Sequence, residues 1–385
     1  MILHTPAATD DGAYTSAMAI GVAIIGVGQI ALQNHLAGIA LSPQARVVAL
    51  CDSDPAALAA AGMRTGVRLL LADYREAVNH PEVQAVVVAT PNVTHAEIVR
   101  AAIAAGRHVL CEKPLALDYV IACDLAARAE RAGVRHMTAF TYRFVPAMRY
   151  MKHLVDAGAV GVPYHFRAQR FQDWQARPLG WRQVKALAGS GEMGDMLSHR
   201  IDYAHLLVGP VRRLVAQLRN YLPQRGGRPS DVDDWAAILC EFESAASGML
   251  ESTKLATGRG EGIRGEDAVE LNGADGTIVY STQRPLELRI GKSGDSDLQT
   301  IDVPRAFRVW PGSPRDPDAG DPLMTFRYDQ GFEFIDAIAN GRPCRPGFEA
   351  GAEAQLVMDA ADVSSREQRW VDLAPLRQPV TGSEP

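Results

Sequence analysis

The sequence predicts an α/β N-terminal domain built on a doubly wound parallel sheet, followed by an α+β domain with an open, mostly antiparallel sheet. Three observations carry this expectation. The chain has 385 residues, more than one hydrophobic core usually serves. Its first part alternates short, wholly apolar runs with helical stretches, the pattern of βαβ units. After about residue 140 consecutive strand-like segments follow one another through turn-rich connections, which favours antiparallel pairing.

Taken in order, residues 1–19 lack the basic start and apolar core of a signal peptide. They are expected to form a disordered leader, with Met18 a candidate true start. Val-Ala-Ile-Ile-Gly-Val at 22–27 is a continuous apolar run ending at a turn, as in a strand buried on both faces. Similar runs recur at 46–51, 85–89, 108–111 and 135–138, with helical stretches from about Gln29 and at 94–105 and 118–132. These make one domain over 20–140. The second domain, 141–385, starts with a helix at 146–157. Strands are expected at 164–171, 211–218, 235–242, 248–253, 268–271, 277–280 and 286–290. A helix at 192–208 interrupts them, and helices at 325–340 and 348–366 end the chain, free to pack back on the first domain. Segments 292–297 and 311–322 are rich in Gly, Pro and Asp and read as loops.

Composition narrows the function. With 39 Lys and Arg against 45 Asp and Glu, a net charge of −6 and no basic run, a nucleic-acid surface is not expected. No stretch reaches membrane-spanning length. Cys51, Cys111, Cys123, Cys240 and Cys344 form no Cys-x-x-Cys pair and read as reduced thiols of a cytoplasmic protein. A small-molecule partner is the default.

Gly26-Val27-Gly28-Gln29-Ile30-Ala31 follows the first strand and opens a helix, the context a dinucleotide fingerprint must have. The first glycine permits the tight turn, and the second lets backbone approach a pyrophosphate at the helix N-terminus. Asp52 ends the second strand, where a carboxylate can accept from both ribose hydroxyls. Asp54 adds negative charge, and no cation follows until Arg64. NAD is therefore expected over NADP, with a helix cap before Pro55 the plainer reading of Asp52. Thr90-Pro91-Asn92 ends the fourth strand ahead of His95 and would line the same crevice, or serve as a simple turn and cap.

Chemistry is expected from two further places. Glu112-Lys113-Pro114 directly follows the strand at 108–111, so a lysine is held at the sheet's ligand-binding edge. Within Gly189-Ser190-Gly191-Glu192-Met193-Gly194-Asp195-Met196-Leu197-Ser198-His199 a glycine loop runs into a helix. There Asp195 and His199 lie four apart on one face. A histidine can take a hydroxyl proton as a carbinol carbon gives up its hydride. Asp195 or Asp202 could orient it. Alone, such a pair is usually a surface or capping feature, and Lys113 alone a solvated loop lysine. Their joint occurrence behind the glycine motif makes the case. No third ligand at metal spacing stands nearby, so no metal is expected.

On these residues together the chain resembles the glucose-fructose oxidoreductase / inositol dehydrogenase / MocA (Gfo/Idh/MocA) family. The likeness spans nearly everything after the leader. It rests on Gly26-Val27-Gly28, Asp52, Thr90-Pro91-Asn92-Val93-Thr94-His95, Glu112-Lys113-Pro114, Tyr142-Arg143-Phe144 and the 195–199 helix. Similar members often carry Gly-x-His, whereas here Ser198 precedes His199, a small change that leaves the histidine in register. The resemblance implies a Rossmann domain and a C-terminal domain whose open sheet packs face to face in homodimers or homotetramers. It also implies an NAD(P)-dependent dehydrogenase acting on CH–OH groups, with Lys113, Asp195 and His199 catalytic and the Lys113–Pro114 bond cis.

For the substrate, Arg167, Gln169, Gln172, Trp174, Trp181 and Arg182 mix aromatic planes with hydrogen-bond donors, as a sugar ring requires. Equally, the tryptophans are core and the arginines solvated. Tyr142, Arg143 and Arg259 join the candidate substrate contacts. Thr257-Gly258-Arg259 resembles a segment of family members acting on sugars and anhydrosugars, and Trp310-Pro311 is a candidate covering loop. The expected reaction is oxidation of a ring secondary alcohol, with the C3 hydroxyl the candidate, in a monosaccharide, glycoside or cyclitol. The rivals are an inositol dehydrogenase, an NAD-dependent glycosidase acting through transient C3 oxidation, and a non-catalytic nucleotide-sensing regulator.

Overall fold

The computed structural model describes residues 19–262 and 265–377; nearly all of the expected leader lies outside them. Six strands, β1 (Ile20–Ile25), β2 (Ala45–Cys51), β3 (Leu69–Leu71), β4 (Ala85–Val88), β5 (His108–Cys111) and β6 (His136–Thr138), form one sheet in the order β3-β2-β1-β4-β5-β6. All its pairings are parallel. Val22, Ile24, Val86, Val88 and Leu110 are wholly buried because helices cover both faces, which is why these runs do not alternate. Caps mark the intervening helices: Asp54 accepts from the N–H groups of Ala56 and Ala57 to start Pro55–Thr65, and Gly66 ends it at φ 76°. Strand order reverses between β1 and β4, so the crevice beyond their C-terminal ends is the ligand position of such sheets.

A second, nine-stranded sheet runs β16-β15-β14-β13-β7-β12-β11-β8-β17. Its strands are β7 (Pro163–Phe171), β8 (Val211–Arg219), β11 (Trp235–Phe242), β12 (Ser247–Thr253), β13 (Glu266–Gly273), β14 (Gly276–Ser281), β15 (Glu287–Lys292), β16 (Gln299–Asp302) and β17 (Val371–Asp372). A small hairpin of β9 (Gln224–Arg225) and β10 (Arg228–Pro229) stands apart. Only β7 and β12 pair in parallel; the other ladders are antiparallel. One face is packed under helices Pro146–Asp156, Ser198–Leu207 and Phe348–Glu367. The other is open, so burial alternates along each strand, as in β11.

The last two helices tie the parts together. Helix Pro322–Ala339 contributes Phe334, Ile335 and Ala337 to the core beneath β1 and β2. It approaches so closely that a Cβ on Gly331 would lie 3.0 Å from the carbonyl carbon of Gly38. Helix Phe348–Glu367 places Phe348 and Ala352 in the core on the other side of the parallel sheet, and Leu356, Val357 and Ala360 in the core of the second sheet. Strands β3, β16 and β17 and the hairpin were not expected. Each is four residues or fewer, too short to show a period, and β17 exists only through its pairing with the edge of β8.

Candidate active site

The glycine turn is built as its sequence requires. Gly26 has φ +92°, and a Cβ there would meet the Ala89 carbonyl oxygen at 2.5 Å, so only glycine lets β1 pass β4 here. Gly28 faces open space, with no atom within 4 Å of a built Cβ, the cradle a pyrophosphate would fill at the helix beginning at Gln29. Asp52 is not a helix cap; that part falls to Asp54. Its carboxylate accepts from Val27 N–H at 2.9 Å and Asp54 N–H at 3.0 Å, which holds it beside the turn. Gln29 is exposed and bonded to Gln33.

Beyond this turn a narrow cleft opens between the two parts of the chain, lined by Ile30, Thr90, Asn92, Lys113, Trp181 and Asp195 among others. Two loops from the parallel sheet form its floor, and His95 braces them from behind. Its ring nitrogens face the carbonyls of Pro114 at 2.8 Å and Thr90 at 3.0 Å, and it is wholly buried. His95 therefore supports the loops that Pro91 and Pro114 turn, and does not itself line the cleft. Asn92 donates to the Ala188 carbonyl at 2.9 Å, tying its loop to the second part of the chain. Glu112 reaches the cleft wall but is held by the His35 ring at 2.8 Å. Burial opposes its ionisation, yet His35 and Lys113 outweigh this and hold its carboxyl below the ordinary range.

Lys113, whose bond to the following Pro114 is cis, reaches across to the second part of the chain. Its Nζ donates to the Asp195 carbonyl at 2.5 Å and to Asp195 Oδ1 at 3.1 Å. Asp195 belongs to a π-helical turn, Met193–Leu197, that leads into helix Ser198–Leu207. The wider turn alters the four-residue register: among the described residues Asp195 makes no hydrogen bond to His199 and is gripped by lysines instead. Burial would push the Asp195 carboxyl up, but Lys254, Lys113 and Arg182 outweigh it and hold it well below the usual range. His199 is 3% exposed, and its Nδ1 is buried with no hydrogen-bond partner among the described residues. Tyr142 lies with its ring 4.6 Å away and Phe140 at 5.9 Å. Burial, then the charges of Lys113 and Arg200, hold its imidazole well below 6.5, which favours the neutral ring.

Other expected contacts fall elsewhere. Asp202 does not orient His199; it forms a bidentate pair with Arg143 at 2.6 and 2.7 Å, which withdraws Arg143 from the substrate. Arg167 lies on the open face of the sheet, opposite in parity to buried Phe166 and Ala168. Arg259 pairs with Glu266 at the base of β13. Trp174 and Gln172 are buried, whereas Trp181 and Arg182 do line the cleft, the guanidinium 4.3 Å over the indole and 3.8 Å from Asp195. Trp310 is not a cover: its indole donates to Glu333 at 2.6 Å and packs on Phe144. Two residues escaped the sequence reading. Glu192 and Lys254 stand behind Asp195, Lys254 at 3.2 Å from its Oδ2.

A glycine turn shaped for a dinucleotide, opening on a cleft lined by a lysine and a carboxylate, with the buried His199 imidazole on the helix that follows the carboxylate, is the arrangement of a two-part NAD-dependent dehydrogenase. Comparison with known proteins agrees. Residues 20–140 match the oxidoreductase family with an NAD-binding Rossmann fold, and 148–279 match the GFO/IDH/MocA C-terminal domain. The chain is 32% identical over 388 residues to levoglucosan dehydrogenase of Pseudarthrobacter phenanthrenivorans, covering 92% of this chain and 98% of that protein. It is 27% identical to inositol 2-dehydrogenase of Rhizobium meliloti, covering 93% and 100%. A structure of levoglucosan dehydrogenase with NADH and levoglucosan superposes with a TM-score of 0.84 at 31% identity, covering 92% and 99%. The chain belongs to the Gfo/Idh/MocA oxidoreductase family. Among the described residues no helix is long and apolar enough to cross a membrane, and no cluster of three or more His, Cys, Asp or Glu is arranged to hold a metal.

Proposed function

We propose that this dehydrogenase oxidises a ring secondary alcohol of a sugar, anhydrosugar or cyclitol, with the C3 hydroxyl the first candidate. NAD, when bound along the glycine turn and Asp52, supplies the hydride acceptor. His199 takes the hydroxyl proton as the carbon–oxygen double bond forms. Lys113, anchored on Asp195, turns its remaining N–H toward the same oxygen and stabilises its developing negative charge. Asp195 keeps Lys113 aimed, and Trp181 offers a plane to an apolar sugar face beside Arg182. The observation that carries this reading is the meeting of Lys113, from the loop after β5, with Asp195 of the π-helical turn that leads into the helix bearing His199. The relatives' activities on levoglucosan and inositol support the substrate class.

We take 20–140 as the cofactor domain and 141–385 as the substrate and assembly domain. A register row across the open sheet face, Val215, Leu239, Met249, Arg167, Glu270 and Val279, mixes apolar groups with opposite charges. This supports a homodimer or homotetramer joined there. Five unbonded cysteines favour the reducing cytoplasm.

A panel of monosaccharides, anhydrosugars, glycosides and cyclitols with NAD and NADP, following reduced cofactor and product together, tests the function. Stoichiometric ketone and NADH are expected. Free sugar without net NADH would replace the reading with a glycosidase, and tight NAD binding without turnover would replace it with a sensor.

A further inference from the structure

We infer that Lys254 is a positioning residue for the reaction: it pairs with Oδ2 of Asp195 while Lys113 hydrogen-bonds Oδ1, and Glu192 supplies its counter-charge. This rests on the roles given above to Lys113, Asp195 and His199. Lys254 directly follows β12 and is 2% exposed. Its Nζ lies 3.2 Å from Asp195 Oδ2, 3.4 Å from Glu192 Oε2 and 4.8 Å from the centre of the Trp174 ring. An ammonium this deep persists only when its charge is matched, and two carboxylates and an indole face surround it. Asp195 is thus held at both oxygens, by Lys113 at 3.1 Å and Lys254 at 3.2 Å. With Oδ1 hydrogen-bonded to Lys113 and Oδ2 facing the buried Lys254 ammonium as an ion pair without a hydrogen bond, both oxygens favour this orientation, which keeps the Lys113 ammonium aimed at the cleft.

The support extends one layer further back. Glu192 is wholly buried and its other oxygen accepts from the Ser252 hydroxyl. Its backbone N–H donates to the Asp233 carbonyl at 2.9 Å, and the Asp233 carboxylate accepts from Gly191 and Met193 N–H at 2.7 Å each. The glycine loop and π-helical turn that carry Asp195 are therefore fastened to β11 and β12 through Glu192, Asp233 and Lys254. The groups facing Glu192 are Lys254, Asp195, Asp233 and Ser252. Burial pushes its carboxyl up to about 7, with Lys254 pulling down and Asp195 adding to the rise. Ionised, Glu192 divides the Lys254 charge between two carboxylates. Protonated, it leaves Lys254 committed to Asp195. Proton exchange on Glu192 near neutral pH therefore changes how firmly Asp195, and through it Lys113, is held.

Three variants test this: Lys254→Met, Lys254→Arg and Glu192→Gln, with NADH binding followed by fluorescence to verify folding. Lys254→Met should lower kcat at least about tenfold while KM for NAD and substrate stays within about threefold, and Lys254→Arg should recover most of that loss. The wild-type kcat profile should inflect near pH 7 and the Glu192→Gln profile should not. Infrared spectroscopy, which needs no substrate, should show a carboxylic-acid carbonyl band that titrates near neutrality and is lost in Glu192→Gln. An unchanged kcat and pH profile in Lys254→Met, or a band and inflection that persist in Glu192→Gln, overturns the inference. If Lys254→Met does not fold, Lys254→Gln replaces it with the same expected and refuting outcomes. A wild type inactive on every sugar and cyclitol would overturn the proposed function; the inference is then read from the infrared carboxylate band of Asp195, assigned with Asp195→Asn, which should shift in Lys254→Met, and an unshifted band overturns it.

Discussion

Replacing Lys113 by alanine tests both its contact with Asp195 and the part proposed for it at the substrate oxygen. In the free protein the ammonium makes two hydrogen bonds to Asp195, one to the backbone carbonyl and one to the carboxylate. At 3.1 Å and an effective dielectric of about 20, the gross ion-pair attraction is about 5 kcal/mol. Most of this does not register as stability, because Lys254 remains 3.2 Å from the other oxygen and desolvation offsets much of the rest. A loss of about 1–3 kcal/mol is expected, the worth of hydrogen bonds to a charged group. Turnover should fall much further. Removing one preformed donor from a developing oxyanion costs about 2.7–4 kcal/mol, or about 10²–10³ in kcat. NADH affinity should stay within about threefold, since no Lys113 hydrogen bond reaches the glycine turn. The lysine charge also helps to depress His199, so the acid limb of the remaining activity should move to higher pH. Stopped-flow cofactor reduction across pH, with NADH titration and urea unfolding, measures all four effects. Turnover within threefold of wild type would refute the assignment of Lys113, and a large loss of NADH affinity would mean that it holds cofactor instead.

Other outcomes follow from the same structure. Asp52→Ala removes the acceptor that holds Val27 and the negative charge beside the ribose position; KM for NAD should rise about tenfold while NADP is accepted better, and an unchanged cofactor preference would count against this role. Arg200 and Asp267 form an ion pair with neither side chain exposed. Asp267→Ala should cost about 3–5 kcal/mol of stability in urea unfolding because Arg200 is left buried and uncompensated, and a cost below 1 kcal/mol would contradict it. Burial holds His95, His199 and His205 below 6.5, His205 at about 4. The unfolded chain therefore binds more protons between those values, and stability rises with pH through that window. His205 alone accounts for up to about 3 kcal/mol lost as pH falls from 6.5 to 4, a ceiling because its side chain is only partly buried. His205→Asn should flatten that limb in denaturation curves measured at successive pH values.

The parallel sheet was legible because each central strand is apolar on both faces and each glycine, aspartate or proline signal falls at a real turn. Gly26, Asp54 and Gly66 all act as local chemistry requires. Of the candidate site, the local motifs at Lys113 and Asp195 could be read from the sequence, and the fold brings these two together. The site was hidden where tertiary packing decides. Lys254 follows a strand in Ser252-Thr253-Lys254 with nothing local to mark it as buried, and only the crossing of the glycine loop over β12 brings Glu192 to it. Arg143 and Asp202 are 59 residues apart and look equally available until the fold pairs them. Arg167 is different, because a signal was present. Phe166 and Ala168 alternate with Arg167 and Gln169, so burying the apolar pair turns Arg167 to the open face. The four-residue spacing of Asp195 and His199 misled for another reason: the π-helical turn breaks the ideal register in the segment where function sits.

The most direct measurement of the central claim uses the best substrate of the panel, deuterated at the carbon oxidised, with wild type and His199→Ala. The wild type should transfer one deuterium to NAD for each ring ketone formed, and His199→Ala should slow that transfer by at least about 10² while binding NADH normally. Transfer at the wild-type rate in His199→Ala, or product formed with the deuterium retained on the sugar carbon, would contradict the account.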